Sequence, residues 1–392
     1  MCTFLVGESL IRIDDFYGFK NEEVQVMTVI ELFKKLLKFK SITPNDAGTF
    51  DFIDEYLGSE WECIISDYED VKNRFYYRKF NNIDQHLCFG GHIDVVPAGN
   101  NWDTDPFEPV EKDGQIFARG TQDMKSGVAA FLYACKHTEH FDGTLSILLT
   151  SDEEGDGIHG TVIALEDLKK RNFLPSYAVI AEPTCEKVFG DSIKIGRRGS
   201  INGYLTLNGV QGHAAYPERA VNPIHLISTI LPNIASHRFD NGDEFFSPSV
   251  LTVTDMRAGL QVTNLTPDKL NLMFNVRNST KTNQHSIQEF IDSEFKNLDY
   301  TFRMTQSSYP FITSESSKMV QKISDSIYNT VSIKPKYSTA GGTSDARFFS
   351  QYGCDTIEFG VINDKIHSIN ERTTIYEVEN LTKVFSNLIE NF

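Results

Sequence analysis

Short apolar runs alternating with helical stretches set the narrowest limit on how this chain can fold. His86-Leu87-Cys88-Phe89, Leu145-Ser146-Ile147-Leu148-Leu149 and Tyr177-Ala178-Val179-Ile180 each read as a buried strand. Residues 124–137 between them read as a helix rich in alanine and bulky apolar residues. An amphipathic helix, Val29-Ile30-Glu31-Leu32-Phe33-Lys34-Lys35-Leu36-Leu37, opens the pattern. Such alternation from 27 to about 188 predicts an α/β sheet with helices on both faces. Ligands of such sheets bind beyond the carboxyl ends of the strands. All three strand runs lead there to an acid or an imidazole: His92, the pair Glu153 and Glu154, and Glu182.

The rhythm changes between 199 and 310. Residues 200–210 alternate like a strand, and 222–236 read as a helix entered through Asn222-Pro223, an N-cap followed by an N1 proline. Strands at 249–254 and 270–277, a helix at 286–295 and a strand at 300–304 complete a β-α-β-β-α-β order, that of a ferredoxin-like module. The first pattern then resumes, with helices at 318–331 and 377–389 and the strand Thr356-Ile357-Glu358-Phe359. We therefore expect 27–198 and 311–392 to form one domain, with 199–310 inserted. Residues 1–26 show no clear period, and we expect either a natural start at Met27 or a loose N-terminal extension.

Composition narrows the partners. A chain of 392 residues, 40% hydrophobic, has material for a large core in more than one domain. A net charge of −17 argues against nucleic acid and anionic membranes. Cys2, Cys63, Cys88, Cys135, Cys185 and Cys354 are scattered without a CxxC pair and read as reduced thiols of a cytoplasmic protein. No apolar run approaches the ~18 residues of a membrane span. The N-terminus has neither a basic n-region nor a small-residue cleavage site.

The candidate site residues fall in polar, glycine-rich segments. His92 and Asp94 form a His-x-Asp pair, which on extended backbone puts both side chains on one face. The acid can hold one imidazole N–H and leave the other nitrogen for a metal; the plainer reading is a surface hydrogen bond. Asp123 precedes a helix, where a carboxylate serves the helix dipole or bridges two cations about 3.5–4 Å apart. Burying Glu153 beside Glu154 is costly without cations, and one can bind metal while the other faces a water. Glu182 before Pro183 and His367 after Ile366 are unremarkable alone. His213 lies in Gly-Val-Gln-Gly-His-Ala-Ala-Tyr-Pro, where small residues admit a ligand close to the backbone. His86, His137, His140, His159, His225, His237 and His285 read as surface or boundary residues. Two histidines and several carboxylates, with one acid spare for a water, are the equipment of a metal-dependent hydrolase.

Taken together, the motifs resemble the dizinc aminoacylase and carboxypeptidase-like amidohydrolases over 27–392. The likeness is carried by Gly91-His92-Ile93-Asp94-Val95-Val96-Pro97, Ala118-Arg119-Gly120-Thr121-Gln122-Asp123-Met124-Lys125, Thr150-Ser151-Asp152-Glu153-Glu154 and Ile366-His367-Ser368-Ile369-Asn370-Glu371. Gly196-Arg197-Arg198-Gly199-Ser200, the His213 segment and Gly341-Gly342-Thr343-Ser344-Asp345 are closer to the members that remove a succinyl group. The resemblance implies a mixed-sheet dizinc catalytic domain with an inserted ferredoxin-like dimerisation domain. It implies that His92 and Glu182 bind one zinc, Glu154 and His367 the second, and that Asp123 bridges them. Asp94 orients His92, and Glu153 is the general base. His213 reaches across a homodimer to the partner's site, and Arg197, Ser200, Asn264, Arg277, Gly342 and Thr343 hold the substrate.

The implied reaction converts N-succinyl-LL-2,6-diaminopimelate and water to succinate and LL-2,6-diaminopimelate. Two zinc ions per subunit are expected, with cobalt or manganese also suited to nitrogen and oxygen donors. The substrate is anionic and the chain acidic, so attraction must be local: Arg197, Arg198, Arg277 and the backbone N–H groups of the 341–344 turn. Thr263, Ala340 and Ala346 depart from the residues common in that family, and they touch substrate contacts rather than metal ligands. An acetylornithine deacetylase, a peptidase of the same scaffold, and a non-catalytic binder are the competing readings.

Overall fold

The structure is a computed structural model and describes residues 27–392. The expectation for residues 1–26 lies outside the described residues. The first helix, α1 (Val29–Lys38), starts where local chemistry says it should. Thr28 accepts from the Glu31 N–H at 3.2 Å, and the Glu31 carboxylate accepts from the Thr28 N–H at 2.8 Å, a reciprocal cap. Leu32, Phe33, Leu36 and Leu37 form one buried stripe.

The strands of the main sheet are β1 (Glu62–Ile65), β2 (Asn73–Lys79), β3 (His86–His92), β4 (Thr144–Thr150), β5 (Tyr177–Ile180) and β6 (Ser192–Lys194), with two more from the end of the chain. The strands of a second sheet intervene: β7 (Ser200–Asn208), β8 (Val250–Ala258), β9 (Lys269–Arg277) and β10 (Tyr300–Ser308). Then β11 (Lys336–Ser338) and β12 (Asp355–Glu358) complete the main sheet in the order β1-β2-β4-β3-β5-β12-β6-β11. Its centre, β4-β3-β5-β12, is parallel, while β1, β2 and β6 pair antiparallel to the strand inward of each. Every residue of β3 and β4 is buried, which is why both read as continuous apolar runs.

Helices cover both faces. On one lie α1, α2 (Thr49–Leu57), α3 (Lys125–Lys136), and two late helices that become α7 (Lys318–Val331) and α9 (Ile375–Asn391) once the intervening ones are counted. On the other, α4 (Thr161–Lys170) and α8 (Ala346–Gln351) pack Leu165, Leu168 and Phe349 against Phe75, Leu148 and Ile180. Gly127 in α3 has the Ala181 carbonyl where a Cβ would sit. That close approach brings the start of α3 against the end of β5, so Asp123 and Glu182 reach the same place.

The second sheet has the order β8-β9-β7-β10, all antiparallel. Two helices, α5 (Pro223–Ile234) and α6 (Gln284–Glu294), bury Ile227, Ile234, Ile287 and Ile291 on one face of it against Leu205, Leu272 and Phe274. The chain order β7-α5-β8-β9-α6-β10 is β-α-β-β-α-β. Asn222 caps α5, its side chain accepting from the Ile224 N–H at 3.0 Å.

His86 departs from its sequence reading as a surface or boundary residue. It opens β3 and is buried, with Nε2 2.7 Å from Ser146 Oγ. Burial pushes its imidazole down to about 4. A strand start at a sheet centre is enclosed by the neighbouring chain, here Phe75 and Phe173. Of the described cysteines, Cys63 is exposed and Cys88, Cys135, Cys185 and Cys354 are buried, all as free thiols. No helix among the described residues is long and apolar enough to cross a membrane.

Candidate active site

The parallel strands β3, β4, β5 and β12 all end at one edge of the sheet, and a cavity of about 660 Å³ opens there. His92 is the last residue of β3. Glu153 and Glu154 follow β4 by a short turn, and Glu182 follows β5. Asp123 is delivered by the loop before α3. His367 comes from the loop after β12, with φ at +57°, in the left-handed region that residues bearing a Cβ enter at some cost.

Asp123 lies between the two imidazoles. Its Oδ1 is 3.1 Å from His92 Nε2, and its Oδ2 is 3.3 Å from His367 Nε2. Glu154 Oε1 approaches His367 Nε2 at 2.9 Å. Around His92 Nε2, Glu182 Oε1 stands at 3.8 Å and Glu153 Oε2 at 3.9 Å. Donor atoms of His92, Asp123 and Glu154 lie within 4.8 Å of one another, as do those of His92, Glu153 and Glu182. Distance alone therefore does not separate the roles of Glu153 and Glu182.

Electrostatics at this cluster are those of acids crowded out of water. Burial pushes Glu153 well above the ordinary carboxylate range, and the charges of Asp345, Asp123 and Glu154 push it further. Burial does the same to Glu182, assisted by Asp123 and Glu153. Burial pulls the His92 imidazole down, but its hydrogen bond to Asp123 and the charges of Glu153 and Asp94 outweigh that and hold it well above its usual value. His367 is raised to about 10 by hydrogen bonds to Asp123 and Glu154. Asp123 is lowered: burial opposes this, but hydrogen bonds from His367 and His92 dominate. Two imidazoles and four carboxylates, without sulfur, converge with one carboxylate spanning the pair. That donor set fits two divalent cations of the zinc, cobalt or manganese kind.

Asp94 sits differently from the simplest expectation. The contact that holds the ring of His92 is from Nδ1 to the backbone carbonyl of Asp94, at 2.9 Å, while the carboxylate is 3.6 Å away. The carboxylate instead accepts from the N–H groups of Glu154 at 3.1 Å and Glu153 at 3.4 Å. Burial raises it to about 6, against the pull of His92. One residue thus fixes the ring through its main chain and the two glutamates through its side chain.

Of the substrate-contact candidates, Arg197, Gly342 and Thr343 line the cavity. Ser200, Asn264, Arg277 and His213 are not among its lining residues. Ser200 is buried at the start of β7, its Oγ accepting from Asn275 at 2.9 Å. Asn264, Arg277 and His213 are exposed on the second-sheet segment; His213 Nδ1 accepts from the Ala215 N–H at 3.0 Å. Three residues without an assigned role in the sequence reading join the site. Lys194 lines the cavity, donating to Ser338 Oγ at 3.1 Å. Glu358 holds Arg197 through hydrogen bonds of 2.9 and 3.0 Å from Nε and a further contact to Nη2. Glu371 accepts from the N–H groups of Gly120, Gln122 and Asp123 at 3.0, 2.7 and 3.2 Å, and from Arg119 at 2.8 Å. The signals were buried charged residues in apolar or motif segments, without any local indication of partner.

Residues 88–391 match the model of peptidase family M20/M25/M40. A succinyl-diaminopimelate desuccinylase of Aliarcobacter butzleri is 65% identical over 366 residues, covering 93% of this chain and 100% of that protein. One of Sulfurimonas denitrificans is 59% identical over the same shares. Among solved structures, the aminopeptidase PepT from Bacillus cereus is similar in fold, with a TM-score of 0.77 at 17% identity over 92% of this chain and 97% of that one. An M20 family metallo-carboxypeptidase from Sulfolobus solfataricus gives 0.73 at 15% identity over 92% and 98%.

Proposed function

The chain belongs to peptidase family M20/M25/M40, and from that premise we propose that it hydrolyses N-succinyl-LL-2,6-diaminopimelate to succinate and LL-2,6-diaminopimelate. It is a metal-dependent amidohydrolase. The observation that carries the chemistry is Asp123, with one carboxylate oxygen toward each of two imidazoles at the mouth of the parallel sheet. The choice of substrate rests on relatives that share 55–65% of their residues with this chain and bear the desuccinylase name. Those relatives weigh against the acetylornithine and dipeptide readings.

In this reading His92 and Glu182 would hold one metal and Glu154 and His367 the other, with the Asp123 carboxylate available to both. When bound, such a pair lowers the pKa of a water and polarises an amide carbonyl. Glu153, at the cavity wall, accepts a proton from the attacking water and returns it to the departing amine as the C–O bond forms and the C–N bond breaks. Asp94 keeps the His92 ring and the 153–154 backbone in register. Arg197, Gly342 and Thr343 receive a substrate carboxylate. A homodimer supplies His213, which stabilises the oxyanion, and Ser200, Asn264 and Arg277 are read as further groups that hold the substrate. Zinc is the metal we favour, with cobalt or manganese able to replace it. The free buried thiols agree with a reducing cytoplasm.

The test is a comparison of N-succinyl-diaminopimelate, N-acetylornithine and dipeptides as substrates, with and without a chelator. Chelator-sensitive hydrolysis of the first is expected. Activity confined to the others would overturn the assignment.

A further inference from the structure

Glu358 is more heavily partnered than a strand residue of an α/β core requires. It ends β12 with no exposed surface. One face of its carboxylate meets Arg197: Nε donates to Oε1 at 2.9 Å and to Oε2 at 3.0 Å, and Nη2 donates to Oε2. The Ser344 hydroxyl donates to Oε1 as well. Arg197 in turn donates from Nη1 to the Ala340 carbonyl at 3.1 Å. Gly341, at φ +109°, lies so close to Arg197 Nη1 that an added Cβ would collide with it. The arginine and the 340–344 turn are therefore closed into a ring around one acid, and Arg197 and the turn's Gly342 and Thr343 line the cavity.

The hydrogen-bond count matters. A guanidinium has five N–H donors in a fixed fork. The contacts above use the Nε donor and one on each terminal nitrogen, leaving one on each terminal nitrogen. The buried pair is close to electroneutral, so Arg197 offers a substrate direction more than net charge. Its side chain is long and flexible by nature, and an unheld guanidinium would lose rotamer freedom on every binding event.

We propose that Glu358 is a positioning residue for substrate recognition: it locks Arg197 and the 340–344 turn into one preformed receptor for a substrate carboxylate. It contacts neither substrate nor the reacting atoms. Ser344 is the second arm of the same lock. This inference rests on the amidohydrolase reading for the identity of the substrate, and its test is arranged to stand apart from that reading.

Glu358→Gln and Ser344→Ala are measured beside the wild type for metal content, kcat and KM, on whichever acylated amino acid the wild type cleaves best. If the wild type fails on N-succinyl-diaminopimelate, the function above is wrong, and the lock is judged on the substrate that is cleaved. The expected result is a KM raised tenfold or more by Glu358→Gln and severalfold by Ser344→Ala, with kcat within threefold and metal content unchanged. Ser344→Thr, which keeps the hydroxyl, should restore KM. Should Glu358→Gln fail to fold, the Ser344 pair decides the question. Unchanged KM in Ser344→Ala, or a fall in kcat without a rise in KM, overturns the proposal, since a purely structural acid would alter stability and leave the KM-to-kcat split untouched.

Discussion

Glu371 offers the sharpest energetic test of how the site is held. Its carboxylate, 1% exposed, is the common acceptor for three backbone N–H groups of the loop that carries Asp123, and for Arg119. Glu371→Gln keeps one oxygen, which can still serve Gln122 and Asp123. The amide nitrogen replaces Oε2 and points a donor at the donors of Arg119 and Gly120. Breaking a buried ion pair on one side costs about 3–5 kcal/mol. Arg119 keeps partial compensation from the carbonyls of Ser368 at 3.2 Å and Ala98 at 3.3 Å, and from stacking over Trp102. The low end, about 3 kcal/mol, is therefore expected. Because the same loop aims Asp123, metal affinity should fall by roughly 10–100-fold, the usual cost of losing a group that orients a ligand. Urea unfolding of the metal-free protein measures the first quantity, and calorimetric titration with zinc measures the second. Stability within about 1 kcal/mol of wild type together with unaltered zinc affinity would refute the idea that Glu371 holds the bridging loop.

Other outcomes follow from the same geometry. Glu153→Ala should keep its metals and lose about 10²–10⁴-fold in kcat, the ordinary share of a general base; a substantial residual rate removes Glu153 from that role. His213→Ala should lower kcat by about 10²–10³-fold, as for loss of one oxyanion donor. Mixed dimers of His213→Ala with Glu153→Ala should regain activity, and mixtures as inactive as their parents would argue against a shared site. His86 titrates at about 4 in the fold against an ordinary value of 6.5. The unfolded chain thus binds the extra proton first, and the contribution present above pH 6.5 is lost as pH falls toward 4. That loss amounts to about 3 kcal/mol, read as the difference in denaturant stability between wild type and His86→Gln across this window; parallel pH profiles would contradict it.

Legibility followed burial. Strands β3, β4 and β5 were readable because a central parallel strand is apolar along its whole length. β2 was not: Asn73, Arg74, Arg78 and Lys79 interrupt its pattern, and pairing with β1 and β4 makes it a strand. Helices α2 and α4 were not read from the sequence either. The β-α-β-β-α-β order of 200–308 was readable because its strands alternate, one face against α5 and α6 and the other open.

The ligand candidates were visible for a related reason. An acid or imidazole at the end of an apolar strand run is a local, one-dimensional pattern, and the amino-acid order alone specified it for His92, Glu153, Glu154 and Glu182. What no local pattern carried was partnership. Arg197 meets Glu358 across 161 residues of chain, and Gln122 meets Glu371 across 249. Asp94 turned its carboxylate to the 153–154 backbone, and Asp123 came to lie between two histidines, by the same long closures. Side-chain periodicity reports the water or core that each residue faces, so it determines elements and their exposed ends. Which charges then neutralise one another depends on where parallel strands bring distant loops together, and that was decided only when the sheet closed.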